Sequence, residues 1–136
     1  FIKSEKGKWG EVKAAKKLDI EWLSTGDGFT WKSKDIEETI ALARHGWEKA
    51  QKKIASNEYD LIVLDEFTYP MHFDWLDVNG VIAWLQENKP AMLHLIITGR
   101  NAPQELIEFA EPVTEMKEIK HPYEAQEISA QAGIEF

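Results

Sequence analysis

The chain has 136 residues, which one domain accommodates and which can bury a sizeable core without a disulfide or metal staple. It contains no cysteine, which excludes a disulfide framework, a thiolate metal site and a cysteine nucleophile, and suits a reducing, cytoplasmic setting. A formal charge of −8 argues against nucleic acid as a partner, because counterion release needs a basic face, yet it is compatible with a nucleotide held by a few cations, backbone N–H groups and Mg2+.

Phe1-Ile2-Lys3 reads as the end of a strand that starts upstream, so a longer product is expected, with residues 1–136 as a single, N-terminally incomplete domain. Lys6-Gly7-Lys8-Trp9 superficially resembles a phosphate-binding loop. It lacks the earlier glycine and the hydroxyl after the lysine that the pattern G-x-x-x-x-G-K-S/T requires. Ile20 to Leu23 is a short segment expected to form a buried strand. Gly26-Asp27-Gly28-Phe29-Thr30-Trp31 then sets two large aromatics directly after two glycines. Such a pair either plugs the core or meets a large apolar ligand, and composition alone favours the plug.

Asp35 and Glu38 have capping-box spacing, and Ile36, Ile40, Ala43, Trp47, Ala50 and Ile54 follow at helical intervals. Leu61-Ile62-Val63-Leu64 is a continuous branched run between Asp60 and Asp65, which predicts a strand covered on both faces. Asp77 is placed to cap a second helix with Val78, Val81, Ile82 and Leu85 facing inward. Leu93 to Ile97 predicts another buried strand. Asn101 and Pro103 precede a third helix, with Leu106, Ile107 and Ala110 as its stripe. Val113 to Ile119 is more polar and suits a sheet edge. No apolar run approaches the roughly 20 residues of a membrane span, and no signal peptide is visible.

Alternating strands and helices predict an α/β fold, a mostly parallel open sheet with helices on both faces. Ligands in such folds sit beyond the carboxyl ends of the strands. That rule selects Asp65-Glu66 and Thr98-Gly99-Arg100. A hydrophobic strand delivering two adjacent carboxylates has the form of a Walker B strand, able to hold Mg2+ directly or through its waters, although the same letters also describe a strand ending in a polar turn. Glycine at 99 permits close backbone approach, and Arg100 is either a solvent-facing turn residue or a contact to phosphate, ribose or carboxylate. Thr68 and Tyr69 add hydroxyls to the same region. His45, His72, His94 and His121 share no spacing that suits a zinc site.

Taken in series, these segments resemble the ATP:corrinoid adenosyltransferase family of cobalamin biosynthesis and salvage. The matching pieces are Phe1-Ile2-Lys3, Gly28-Phe29-Thr30-Trp31, Asp60 to Tyr69, Ile97-Thr98-Gly99-Arg100 and Ala102-Pro103. Leu106-Ile107, Val113-Thr114-Glu115-Met116, Ile119-Lys120-His121-Pro122 and Ala130 to Phe136 follow in the same order. The likeness runs over essentially the whole chain. It departs at the front, where the family has a first strand and a phosphate loop that these residues lack.

The resemblance implies a RecA-like P-loop fold and transfer of the 5′-deoxyadenosyl group of ATP to Co(I) of cobalamin or a cobinamide-type precursor, with triphosphate leaving. It implies Asp65 and Glu66 as catalytic and Mg2+ (or Mn2+) ligands, and Arg100, Thr98 and Tyr69 as nucleotide contacts. It also implies Phe29 and Trp31 as the aromatics that displace the axial ligand of Co(II), a reductant of flavodoxin-like type, and a homodimer. Two rival readings share parts of this pattern. A RecA-like ATPase would share the Walker B strand, and a non-catalytic corrinoid-binding module would lack the phosphate loop.

Overall fold

The computed structural model describes residues 10–24 and 36–129. Its elements in chain order are α1 (Gly10–Lys17), α2 (Ile36–Ala55), β1 (Leu61–Leu64), α3 (Thr68–His72), α4 (Val78–Asn88), β2 (His94–Ile97), α5 (Gln104–Phe109) and α6 (Pro122–Gln126). The expected Phe1-Ile2-Lys3 strand, the Lys6 to Trp9 segment, the Gly26 to Trp31 loop, the Asp35 cap and the Ala130 to Phe136 terminus lie outside the described residues. The chain divides into two compact units, one holding described residues 23–24 and 36–111, the other 10–22 and 112–129.

In the larger unit, β1 and β2 pair in parallel, with Leu61 opposite His94, Ile62 opposite Leu95, Val63 opposite Ile96 and Leu64 opposite Ile97. Parallel neighbours need a long crossover, and α3 and α4 supply it. Because strand side chains alternate, this register sorts the apolar run into two faces. Ile62, Leu64, Leu95 and Ile97 pack against a core built from Trp47, Ile54, Met71, Leu76, Val81, Leu85, Leu93 and Leu106. On the other face Leu61 and Val63 are each 52% exposed and Ile96 is 46% exposed. Among the described residues, the expected cover is found on one face, where the buried apolar residues of the helices gather in a single core.

The helices form for the reasons their sequences give. α2 begins with Glu37 and Glu38 and ends with Lys52 and Lys53, each pair complementing the helix dipole. Its inward row deepens along the helix, from exposed Ile36 to buried Trp47 and Ile54. Asp77 caps α4 as expected, its Oδ2 accepting from Gly80 N at 2.8 Å. Val81 and Leu85 are buried below it. In α5 only Leu106 of the expected stripe is buried, while Ile107 and Ala110 are exposed. Asp77→Ala should lower stability by about 1 kcal/mol, read as a lower denaturation midpoint at unchanged m-value.

Two expected strands are absent. Ile20 to Leu23 and Val113 to Ile119 are described but form no ladder. Ile20 is 56% exposed, and Val113, Met116 and Ile119 are 54%, 93% and 84% exposed. A strand is defined by its hydrogen-bonded neighbour, and neither run has one among the described residues.

In the smaller unit, α1 ends in a Schellman motif. Asp19 takes the left-handed conformation (φ 54), Ile20 N donates to Ala15 O at 2.9 Å, and Asp19 N donates to Lys16 O at 3.4 Å. That sharp stop leads directly into the Ile20 run. α6 likewise ends at left-handed Glu127. No helix among the described residues is long and apolar enough to cross a membrane.

Candidate functional site

The ladder between β1 and β2 continues past both strands. His94 N donates to Asp60 O at 2.9 Å, and Thr98 N donates to Leu64 O at 3.1 Å. Extending the same register by one residue sets Asp65 beside Thr98, at the carboxyl ends of both strands. The Thr98 hydroxyl donates to Asp65 Oδ1 at 2.5 Å and accepts from Glu66 N at 3.0 Å. Three of the expected site residues are thus joined through one oxygen atom.

Glu66 has φ 57, a left-handed conformation that a glutamate adopts at a cost. This kink turns the chain off the strand, so that Asp65 and Glu66 do not simply alternate across a flat ladder. Tyr69 N donates to Glu66 O at 3.2 Å, closing the turn that leads into α3. Gly99 is also in the positive region (φ 146), and a Cβ there would collide with the Thr68 hydroxyl. Only glycine satisfies both constraints.

Thr68 is the residue that sequence reasoning undervalued. It is 3% exposed, and its hydroxyl donates to Arg100 O at 2.8 Å, fastening the loop after β2 to the start of α3. The signal was available only once β1 and β2 were placed side by side. Arg100 itself is exposed, with no side-chain bond among the described residues. Tyr69 is half-buried and stacks on Phe73 (centroids 6.2 Å apart, planes 12° apart), and Phe73 stacks in turn on Trp75 at 5.3 Å. Phe29 and Trp31 lie outside the described residues.

The donor set suits a hard divalent cation that keeps much of its own shell. No group of three or more His, Asp or Glu that could hold a metal occurs among the described residues. Two adjacent carboxylates at one strand end match Mg2+, which takes one or two carboxylates beside waters and phosphate oxygens. Asp65 Oδ2 and the Glu66 carboxylate carry no bond to any described residue and remain available as oxygen ligands.

A parallel α/β unit with two adjacent carboxylates at its strand ends sets the class. The particular family follows from comparison with known proteins. The model of the ATP:corrinoid adenosyltransferase family BtuR/CobO/CobP matches residues 1–136, and the chain belongs to that family. A corrinoid adenosyltransferase of a Sinorhizobium species is 42% identical over 116 residues, covering 85% of this chain and 54% of the relative. One of Pseudomonas aeruginosa is 38% identical over 118 residues, covering 87% and 57%. One of Escherichia coli is 33% identical over 133 residues, covering 96% and 67%. The chain therefore spans between about half and two-thirds of the length of these curated relatives.

Proposed function

We propose that the full-length protein transfers the 5′-deoxyadenosyl group of ATP to Co(I) of cobalamin or a precursor corrinoid and releases triphosphate. The observation that supports this most strongly is the Asp65–Glu66 pair, gathered by Thr98 at the strand ends of a chain whose whole length belongs to the adenosyltransferase family. In this reaction the cobalt lone pair forms a bond to C5′, the C5′–O bond breaks, and its electron pair leaves with the triphosphate.

Asp65 and Glu66 are the residues that would hold Mg2+ or Mn2+. The bound ion would neutralise charge growing on the leaving triphosphate. Arg100 and Tyr69 are assigned to the nucleotide, while the Thr98 hydroxyl, expected there too, is engaged by Asp65 and Glu66. Much of the rate is expected from holding cobalt and C5′ in line, since a positioned reactant pair has a large effective molarity. The framework is RecA-like, with its triphosphate cradle supplied from outside these 136 residues, because they contain no G-x-x-x-x-G-K-S/T pattern. A homodimer, a flavodoxin-like reductant for Co(II) and a cytoplasmic location complete the reading.

Phe29 and Trp31 are assigned to the corrinoid. Their apolar bulk would displace the axial ligand of Co(II), leaving a four-coordinate ion that is easier to reduce. Phe29→Ala or Trp31→Ala is expected to depress adenosylation at least about tenfold more when the assay starts from Co(II) than from chemically supplied Co(I), a difference of about 1.4 kcal/mol. Equal losses in both assays would remove the ligand-displacement role and leave the transferase reading standing.

A further inference from the structure

We infer that Thr98 is a positioning residue of this site, acting through Asp65 and Glu66 rather than on the nucleotide. The inference deepens the proposed function and rests on it for the identity of the metal–nucleotide ligand.

A threonine hydroxyl has one proton to donate and two lone pairs. A carboxylate can only accept and a backbone N–H can only donate, so the directions of the two bonds are fixed. The single proton goes to Asp65 Oδ1 and a lone pair receives Glu66 N–H. With its proton committed, Thr98 Oγ1 has only acceptor capacity left. Phosphate oxygens are acceptors as well, so this hydroxyl cannot donate to a phosphate while both bonds stand.

What the two bonds do is mechanical. Donation to Oδ1 selects one rotamer of Asp65 and leaves Oδ2 as its open ligand oxygen. Acceptance from Glu66 N supports the left-handed backbone (φ 57) that re-aims the second carboxylate. The Thr98 backbone is itself pinned, because its N–H donates to Leu64 O and its carbonyl accepts from Thr68 N at 3.5 Å. Thr68 returns the tie by donating to Arg100 O. Carboxylates held in this way need no reorganisation when the cation arrives, and such supporting partners typically change metal affinity about 10- to 100-fold.

The test compares wild type, Thr98→Ser and Thr98→Val in the full-length protein. Binding of Mn2+–ATP is read from the enhancement of water proton relaxation, alongside kcat, the apparent KM for metal–ATP and the denaturation midpoint. Thr98→Val should weaken Mn2+–ATP binding about 10- to 100-fold in the folded protein. Thr98→Ser, which keeps the hydroxyl, should bind within a few-fold of wild type. A Val variant that is less stable but binds Mn2+–ATP like wild type would overturn the inference, as would a Ser variant as impaired as Val. A wild-type protein that binds Mn2+–ATP but forms no adenosylcorrinoid would instead sink the proposed function, and the three-way binding comparison would still judge Thr98.

Discussion

Glu66→Gln is expected to reduce metal-dependent adenosyl transfer by about 10²- to 10³-fold while leaving the folded state intact. The substitution keeps the side chain's size and removes its charge. The Glu66 carboxylate bonds to no described residue, and the bonds that fix this position are made by its backbone, the N–H donating to Thr98 Oγ1 and the carbonyl accepting from Tyr69 N, both of which the variant retains. Activity should therefore fall without a shift in the denaturation midpoint. Asp65→Asn tests the neighbouring charge in the same way, since an amide oxygen can still accept from Thr98. The readout is adenosylcorrinoid formation against Mg2+ concentration. Unchanged turnover at every Mg2+ concentration would remove Glu66 from the site.

The second large effect is on stability. Gly99→Ala forces a side chain into a backbone conformation at φ 146 and drives its Cβ into the Thr68 hydroxyl. Backbone strain of this kind costs about 1–3 kcal/mol. Overpacking adds about 1–3 kcal/mol more, because Thr68 is buried and cannot swing away. The Thr68–Arg100 tie should break with it. The denaturation midpoint should drop markedly, and combining Gly99→Ala with Thr68→Ala should be less destabilising than the sum of the two single changes. Strict additivity would show that the steric collision is not what the glycine avoids.

The strongest local signals were readable before the structure. The long α2 pattern, the Asp77 cap of α4, and the two branched runs that became β1 and β2 all declare themselves within a few residues. Asp65 and Glu66 were selected by their place after β1 alone. What could not be read depends on neighbours far along the chain. A run such as Leu61-Ile62-Val63-Leu64 states that it is apolar but not which alternate residues will be covered, and here Leu61 and Val63 stay half exposed. Val113 to Ile119 has apolar residues enough for an edge strand, yet an edge exists only where another strand offers its N–H and C=O groups. The Thr98–Asp65 bond joins residues 33 apart and emerges only from the register of β1 against β2. The left-handed turn at Glu66 has no sequence signature, because glutamate is a residue that normally avoids it.

Product analysis with the full-length protein, ATP, Mg2+ and a Co(I) corrinoid tests the central claim most directly. The expected result is an adenosylcorrinoid formed together with an equal amount of triphosphate. ADP and inorganic phosphate released without any new cobalt–carbon bond would contradict it, and would mark the carboxylates at the end of β1 as parts of an ordinary ATPase.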